Sequence, residues 1–458
     1  MTFDLKRKCI HIQEDGAALP PIERVLLFLI FVTSSMFVLQ ISGKYVSLLL
    51  EVVFCGYMLC KKKRIILPGY FLITFIFIEL FFAAGSALLS DMPQSYKKTA
   101  VDLAIMALPS YVTICYIREF IKEGYDVFGL VIKAIKMMVV IQIGWFLLQA
   151  VLWYGMHIDL NNIVFVRLLH TVSNASFVRS WVFYPSGLTW HSAILAPMLV
   201  LAYILFEKPH FRVLILLVAV LCGNSTALIG TVLTAVMVWF FQIYVMSGKA
   251  VRKRLLMVVA VAVAALLGLY VTGSFSRVSG IAINLYKRLF GSEKDASTAA
   301  HFGYYTDYLK IFPQSTIPQI FFGYGYGCSG YTITRLYSRY KTLASWAIES
   351  DVINIIVSRG IVGFLAYYIF LFYVMLKGLR TDIRYFIFMA VIFIQGFGYN
   401  IQFEYVFMIE MLLFVSLEFN DNFFRHGTRG ENKQIVCVRM EGYRYRGIKE
   451  NAGFDYLS

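Results

Sequence analysis

The sequence predicts an all-α polytopic membrane protein, and three observations predict it. Its 458 residues are 59% hydrophobic and only 15% charged, where soluble domains carry roughly 25% charged residues. Mean hydropathy is +0.70. The apolar residues are gathered into runs long enough to cross a bilayer, which takes about 20 residues at 1.5 Å each. Short basic clusters such as Lys61-Lys62-Lys63-Arg64 separate them.

About twelve apolar runs read as spans, most of them near the roughly 20 residues a crossing needs. Residues 1–21 are polar and read as a cytoplasmic tail without a cleavable signal pattern. Spans follow near 22–42, 45–60, 68–89, 101–118, 131–153, 187–206, 211–222, 225–246 and 254–273, and together they form a membrane unit over 22–273. The stretch from Val213 to Met246 is too long for one helix and is interrupted by Cys222-Gly223-Asn224-Ser225-Thr226. Basic residues flank it on both sides, so it must cross twice. The same reasoning divides Tyr385–Phe419 at Gly396-Phe397-Gly398-Tyr399-Asn400. Three further spans fall near 352–376, 385–399 and 401–419, a second membrane unit over 352–419, and residues 420–458 form a polar cytoplasmic tail.

The densest short basic clusters set the orientation. Lys61-Lys62-Lys63-Arg64, the group from Lys249 to Arg254, and Lys377, Arg380 and Arg384 belong inside by the positive-inside rule. Both termini are then cytoplasmic. Two long segments fall outside: a loop over 154–186 and a large periplasmic loop over 274–351. A net charge of +15 raises the question of nucleic acid. The Lys and Arg, however, sit between apolar runs, where they fix topology, and no nucleic-acid partner is expected. The seven cysteines have no metal-ligand spacing and imply no disulfide framework.

Familiar catalytic patterns are absent. There is no GxxxxGK[ST] loop, HExxH, GxSxG or CxxC. No Asp-x-Asp occurs and the His residues are dispersed, so neither a metal nor another cofactor is expected. Gly323-Tyr324-Gly325-Tyr326-Gly327 lacks the context of a nucleotide loop and reads as a flexible turn back to the membrane.

An enzyme working outside the cytoplasm, where nucleotide sugars are absent, would use a lipid-linked donor and neutralise its pyrophosphate with arginine. Charges at membrane depth mark functional sites. Arg359, in Ser358-Arg359-Gly360-Ile361-Val362-Gly363, falls in or just above the outer leaflet; the alternative is snorkelling to headgroups. Arg179 precedes Pro185-Ser186-Gly187 and a helix whose first turns would hold His191, itself either functional or merely interfacial. In the large loop, His301 begins an amphipathic stretch. Glu349 and Asp351 precede the helix from 352, either as helix-capping acids or as a base for an acceptor hydroxyl. Glu79, Glu404 and Glu410 lie within apolar runs and could mark an ion path.

In order and spacing, these features resemble the Wzy-type O-antigen polymerases of the O-antigen polymerase and ligase superfamily. The resemblance rests on Arg179 with Pro185-Ser186-Gly187 and His191, and on Gly223-Asn224-Ser225-Thr226, where Thr226 stands in place of the family's frequent arginine. It rests also on the large loop with Arg288, His301 and Tyr305, and on Phe321-Phe322-Gly323-Tyr324-Gly325. The last feature is Glu349-Ser350-Asp351 leading to Gly360-Ile361-Val362-Gly363. Ligases commonly have His-Asn where this chain has Glu349-Ser350, which favours a polymerase.

The resemblance covers residues 22–420 and implies a GT-C-like fold and a metal-independent membrane glycosyltransferase of the inner membrane. Its substrates would be undecaprenyl-pyrophosphate-linked oligosaccharides, and it would work beside a flippase and a chain-length regulator. His301 or Glu349 would be the base. Arg179, Arg288, Arg335, Arg339 and Arg359, with His191, would contact pyrophosphate and glycan. A ligase shares this donor chemistry, and a lipid-linked oligosaccharide transporter is the reading from another class.

Overall fold

The computed structural model describes residues 17–41, 44–64, 66, 69–89, 108–172, 177–179, 182–189, 191–246, 305–325, 329–330, 332, 350–399 and 404–427. The expected span 254–273 and most of the large loop lie outside them. Among the described residues the chain is helical apart from two short antiparallel ribbons.

Helix α1 (Pro21–Thr33) begins on a proline, whose missing amide costs nothing in a first turn. It stops well short of the expected 22–42. Thr33 Oγ1 donates to the Leu29 carbonyl at 2.8 Å and Ser34 Oγ to Phe31 at 2.9 Å. Hydroxyls that bond back to the preceding turn compete with helix propagation, and a hydropathy window does not register this. A ribbon of β1 (Gln40–Ile41) and β2 (Lys44–Tyr45) then turns the chain into α2 (Val46–Lys62). Helix α3 (Tyr70–Leu89) and α4 (Leu108–Lys122) follow.

Helix α5 runs from Val127 to Met156, longer than the expected 131–153, because Asp126 caps it by accepting from the Gly129 amide at 3.0 Å. The ribbon of β3 (Phe177–Arg179) and β4 (Val182–Tyr184) leads to α6 (Leu195–Leu205), all of whose side chains are buried. Helices α7 (Pro209–Leu221) and α8 (Ser225–Met246) are separated at Cys222–Asn224, where the sequence placed a break, and pack on each other. The last described helices are α9 (Asp351–Leu379), α10 (Ile383–Gly398) and α11 (Glu404–Glu418).

Helix α6 forms the centre of the bundle, with α5, α7, α8 and α10 around it. Helix α9 lies between α10 and α3 and also touches α11. Large apolar side chains face outward in stripes: Ile229, Val232, Val236 and Trp239 on α8, and Leu365, Ile369, Phe372 and Leu376 on α9. Water does not tolerate such continuous apolar faces, whereas lipid does. Three helices among the described residues are long and apolar enough to cross a membrane: Val127–Met156, Ser225–Ile243 and Asp351–Leu379.

The two ends of the bundle differ. At the terminal end, Lys61 pairs with the buried Glu23, Arg118 with Glu418, and Arg384 with Asp382 at 2.6 Å and Glu207 at 3.7 Å. The residues after α11 fold back there in a single helical turn, Phe423–Gly427. Its His426 lies between Asp126 at 3.2 Å and Asp421 at 3.0 Å. The loop end gathers the two ribbons, residues 305–325 and the start of α9.

Candidate functional site

Two glutamines on one face of α5 build the floor of the loop end. Gln142 and Gln149 are seven residues apart, hence two turns apart and on the same face, and both are fully buried. Gln149 Oε1 accepts from the amides of Ser186 (3.2 Å) and Gly187 (2.8 Å), and Gln142 Oε1 from that of Leu188 (2.7 Å). Gln142 Nε2 donates to the Ser35 carbonyl at 2.9 Å, and Asn161 Nδ2 to that of Gly187 at 2.9 Å. Backbone groups need partners when they are buried. The glutamines supply them, so Pro185–Thr189 runs through the interior as irregular chain. This delays the helix expected from 187 to Leu195, after the single turn Ser192–Ile194.

His191 is the N-cap of that turn: its Nδ1 accepts from the Ala193 amide at 3.1 Å. A neutral imidazole that accepts at Nδ1 carries its proton on Nε2. The ring stacks on Tyr399 with centroids 5.6 Å apart and an interplanar angle of 6°.

Tyr399 directly follows α10, and four parts of the chain meet on the end of that helix. Gln395 Nε2 donates to the Thr226 carbonyl at the start of α8 (3.1 Å). Ser350, which precedes α9, directs its one hydroxyl proton between the Tyr305 oxygen and the Gly396 carbonyl, the latter at 3.3 Å. Tyr305 donates to the Phe397 carbonyl at 2.6 Å, shares a hydrogen bond with Ser350 at 2.9 Å and stacks on the Phe397 ring. Burial raises the Tyr305 phenol above its ordinary pKa and pushes Tyr308 up to about 12, so both are donors at neutral pH. Asp351 is buried against Gly396 and within electrostatic reach of Tyr305, Tyr367 and Tyr368. The helix N-cap is Ser350, not an acid, and Asp351 is the first helical residue.

Helix α9 breaks at Gly360, whose φ of 70° and ψ of −176° interrupt the spiral. A Cβ there would collide with the backbone of Phe321 and Phe322, and one on Gly323 (φ 79°) with the backbone of Ser358 and Arg359. The Tyr324 amide donates to the Val357 carbonyl at 2.8 Å. Residues 321–324 are therefore locked against the break, and they include the start of the Gly323–Gly327 stretch expected as a flexible turn. Only residues without a Cβ permit two backbones to approach this closely.

Arg359 directly precedes the break. Its side chain packs over Gly363 and lies within electrostatic reach of Tyr367 and Tyr368. Tyr367 in turn donates to the buried carboxylate of Glu410 on α11 at 3.3 Å. Arg359, half-buried, thus adjoins Tyr367 and Tyr368, which belong to a buried group with Asp351 and Glu410. Buried polar groups in a low-dielectric interior interact more strongly than they would in water.

Of the residues singled out in the sequence, His191 and Arg359 stand at the loop end, and Arg179 pairs with Val182 in the β3–β4 ribbon. Tyr184 of that ribbon lies against Gly223, between α7 and α8. Arg288, His301, Arg335, Arg339 and Glu349 lie outside the described residues. Among the described residues no three His, Cys, Asp or Glu side chains are grouped as metal ligands. Sequence reasoning missed Gln142 and Gln149, although two amides seven residues apart in an apolar run are a readable signal. It singled out Tyr305 and Glu410 without linking them to Arg359.

The fold and its outward apolar stripes define a helical membrane protein. No known protein family matches the chain, and no curated protein sequence is significantly similar to it.

Proposed function

We propose that this protein is an oligosaccharide repeat-unit polymerase of the Wzy type. It joins polyprenyl-pyrophosphate-linked glycans of the O-antigen or capsule kind at the outer face of a bacterial inner membrane. In this reading the chain crosses the bilayer about twelve times in a GT-C-like arrangement, both termini are cytoplasmic, and the loop end faces the periplasm.

The observation that supports it is the docking of residues 321–324 on the Gly360 break beside Arg359. It sets a cation beside a loop-derived roof, and in this reading that position lies at the depth where a pyrophosphate on a lipid tail is presented. The donor glycan would lose its polyprenyl pyrophosphate as the acceptor's sugar hydroxyl attacks the anomeric carbon. That hydroxyl would give its proton to His301 or Glu349. Arg359, with Arg179, Arg288, Arg335 and Arg339, would stabilise the charge growing on the leaving pyrophosphate where water is partly excluded. His191 would contact glycan.

A transporter for the lipid-linked unit is the second reading. It is favoured by the broken α9 and the buried Glu410, since discontinuous helices and intramembrane acids are transporter devices. A ligase shares the donor chemistry.

Deletion of the gene in its host, with the surface glycan resolved by electrophoresis, separates the three. A single capped repeat unit with no ladder supports the polymerase. Loss of surface glycan while polymer accumulates on the carrier lipid indicates a ligase. Lipid-linked single units trapped on the cytoplasmic side indicate the transporter. An unchanged ladder rejects all three.

A further inference from the structure

We propose that the terminal end of the bundle carries a seat for an anionic phospholipid headgroup between α5 and α7, centred on Lys136 and Arg212. It is independent of the glycan-transfer reading. At 1.5 Å per residue, the 30 residues of α5 span about 45 Å against a hydrocarbon core of about 30 Å. The opening turns of α5 therefore reach headgroup level, and Lys133 and Lys136 lie there one turn apart. Lys208, the N-cap of α7, and Arg212 are likewise one turn apart at the start of α7. Helices α5 and α7 pack together, which brings the four cations to one edge of the bundle.

Two of these cations are fixed on one residue at the end of α6. Lys136 Nζ stands 5.8 Å over the Phe206 ring. Arg212 Nε donates to the Phe206 carbonyl at 3.0 Å, and its guanidinium lies 5.1 Å over the Tyr203 ring. A guanidinium held through Nε has its Nη donors available in a fixed plane, which suits phosphate oxygens. The neighbouring carboxylate, Glu207, faces Arg384 at 3.7 Å, so it does not cancel the patch.

Beyond the cations toward the bundle's middle, Met137 and Val140 of α5 and Val213 and Leu217 of α7 are exposed apolar side chains. A cationic head site continuous with an apolar surface fits an amphiphile, a phosphate carrying acyl chains, better than free phosphate. Basic pockets between spanning helices recognise acidic headgroups in this way.

The test uses the full chain purified in neutral detergent. Dioleoylphosphatidylglycerol, dioleoylphosphatidylcholine or glycerol 3-phosphate is added, and the midpoint of thermal unfolding is read. A ligand that binds only the folded state raises that midpoint. The phosphatidylglycerol arm is expected to raise it by about 3 °C or more, and the other two by less than a third of that. Lys136→Gln/Arg212→Gln is expected to lose the rise, and Arg24→Gln/Lys63→Gln, at the same end, to keep it.

An equal rise with phosphatidylcholine, with glycerol 3-phosphate, or in Lys136→Gln/Arg212→Gln overturns the proposal. Wild-type protein labelled with a photoreactive phosphatidylglycerol gives a second readout that needs no variant. Labels are expected in 133–140 and 208–217, and labels confined to other segments overturn the site.

Discussion

Replacing Gly360 by alanine tests the central feature of the loop end. Its φ of 70° with ψ of −176° lies in a region essentially reserved for glycine, and occupying it with a side chain costs roughly 1–3 kcal/mol. The added Cβ would also meet the backbone of Phe321 and Phe322, which cannot rotate aside as a side chain would. Residues 321–324 must then lift away, losing the hydrogen bond from Tyr324 to Val357, which contributes about 1 kcal/mol. The sum is a destabilisation of about 2–4 kcal/mol.

Two other glycines separate the contributions. Gly124 has a φ of 86° and open space around its missing Cβ, so Gly124→Ala carries only a conformational cost of roughly 1–2 kcal/mol. Gly144 is helical with open space, so Gly144→Ala gains about 0.5–1 kcal/mol. Unfolding of the three variants and the wild type in the same detergent should rank Gly360→Ala lowest, then Gly124→Ala, wild type and Gly144→Ala. If Gly360→Ala is no worse than Gly124→Ala, the 321–324 segment does not dock on the break.

Three further outcomes follow. Arg359→Ala should leave protein levels near normal and reduce glycan polymer formation about 100-fold or more, the scale of losing one charge-stabilising donor; full activity in this variant removes Arg359 from the site. Gln149→Leu deprives the buried amides of Ser186 and Gly187 of their acceptor and should destabilise by about 2–5 kcal/mol, measured against the milder Gln149→Glu in the same unfolding assay.

His426 makes stability depend on pH. Burial alone would lower its pKa, but Asp126 and Asp421 outweigh burial and raise it to about 9 from 6.5. A raised pKa stabilises fully below pH 6.5, and this contribution is lost as pH climbs through about 9. It amounts to about 3 kcal/mol by the size of the shift. Unfolding of wild type and His426→Gln from pH 6 to 10 should converge as the pH rises, and parallel curves refute the pairing.

Local chemistry makes part of this protein legible in its sequence. Apolar runs with basic punctuation are a one-dimensional signal, because a helix satisfies its own backbone within a few residues. The Cys222-Gly223-Asn224 interruption could therefore be placed correctly between α7 and α8. Asp126, by contrast, extends α5 beyond its apolar window, and Thr33 and Ser34 end α1 inside one. Hydropathy is blind to both, since these residues act through hydrogen bonds and not through transfer to lipid.

The site depended on contacts that no window contains. Gly323-x-Gly325 reads as a loose turn because its partner, the Gly360 break, is a separate segment. The fit of two backbones exists only when both are placed. Gln142 and Gln149 are stray amides in the sequence and become meaningful only with Pro185–Thr189 threaded beside them. The sequence by itself determined that this chain is helical and belongs in a membrane, because burial of apolar surface and backbone satisfaction are local requirements. Only the tertiary structure decided that Tyr305 and Ser350 meet at the loop end and that Tyr367, two turns below Arg359, meets Glu410, because which segments meet is settled by packing across the whole chain.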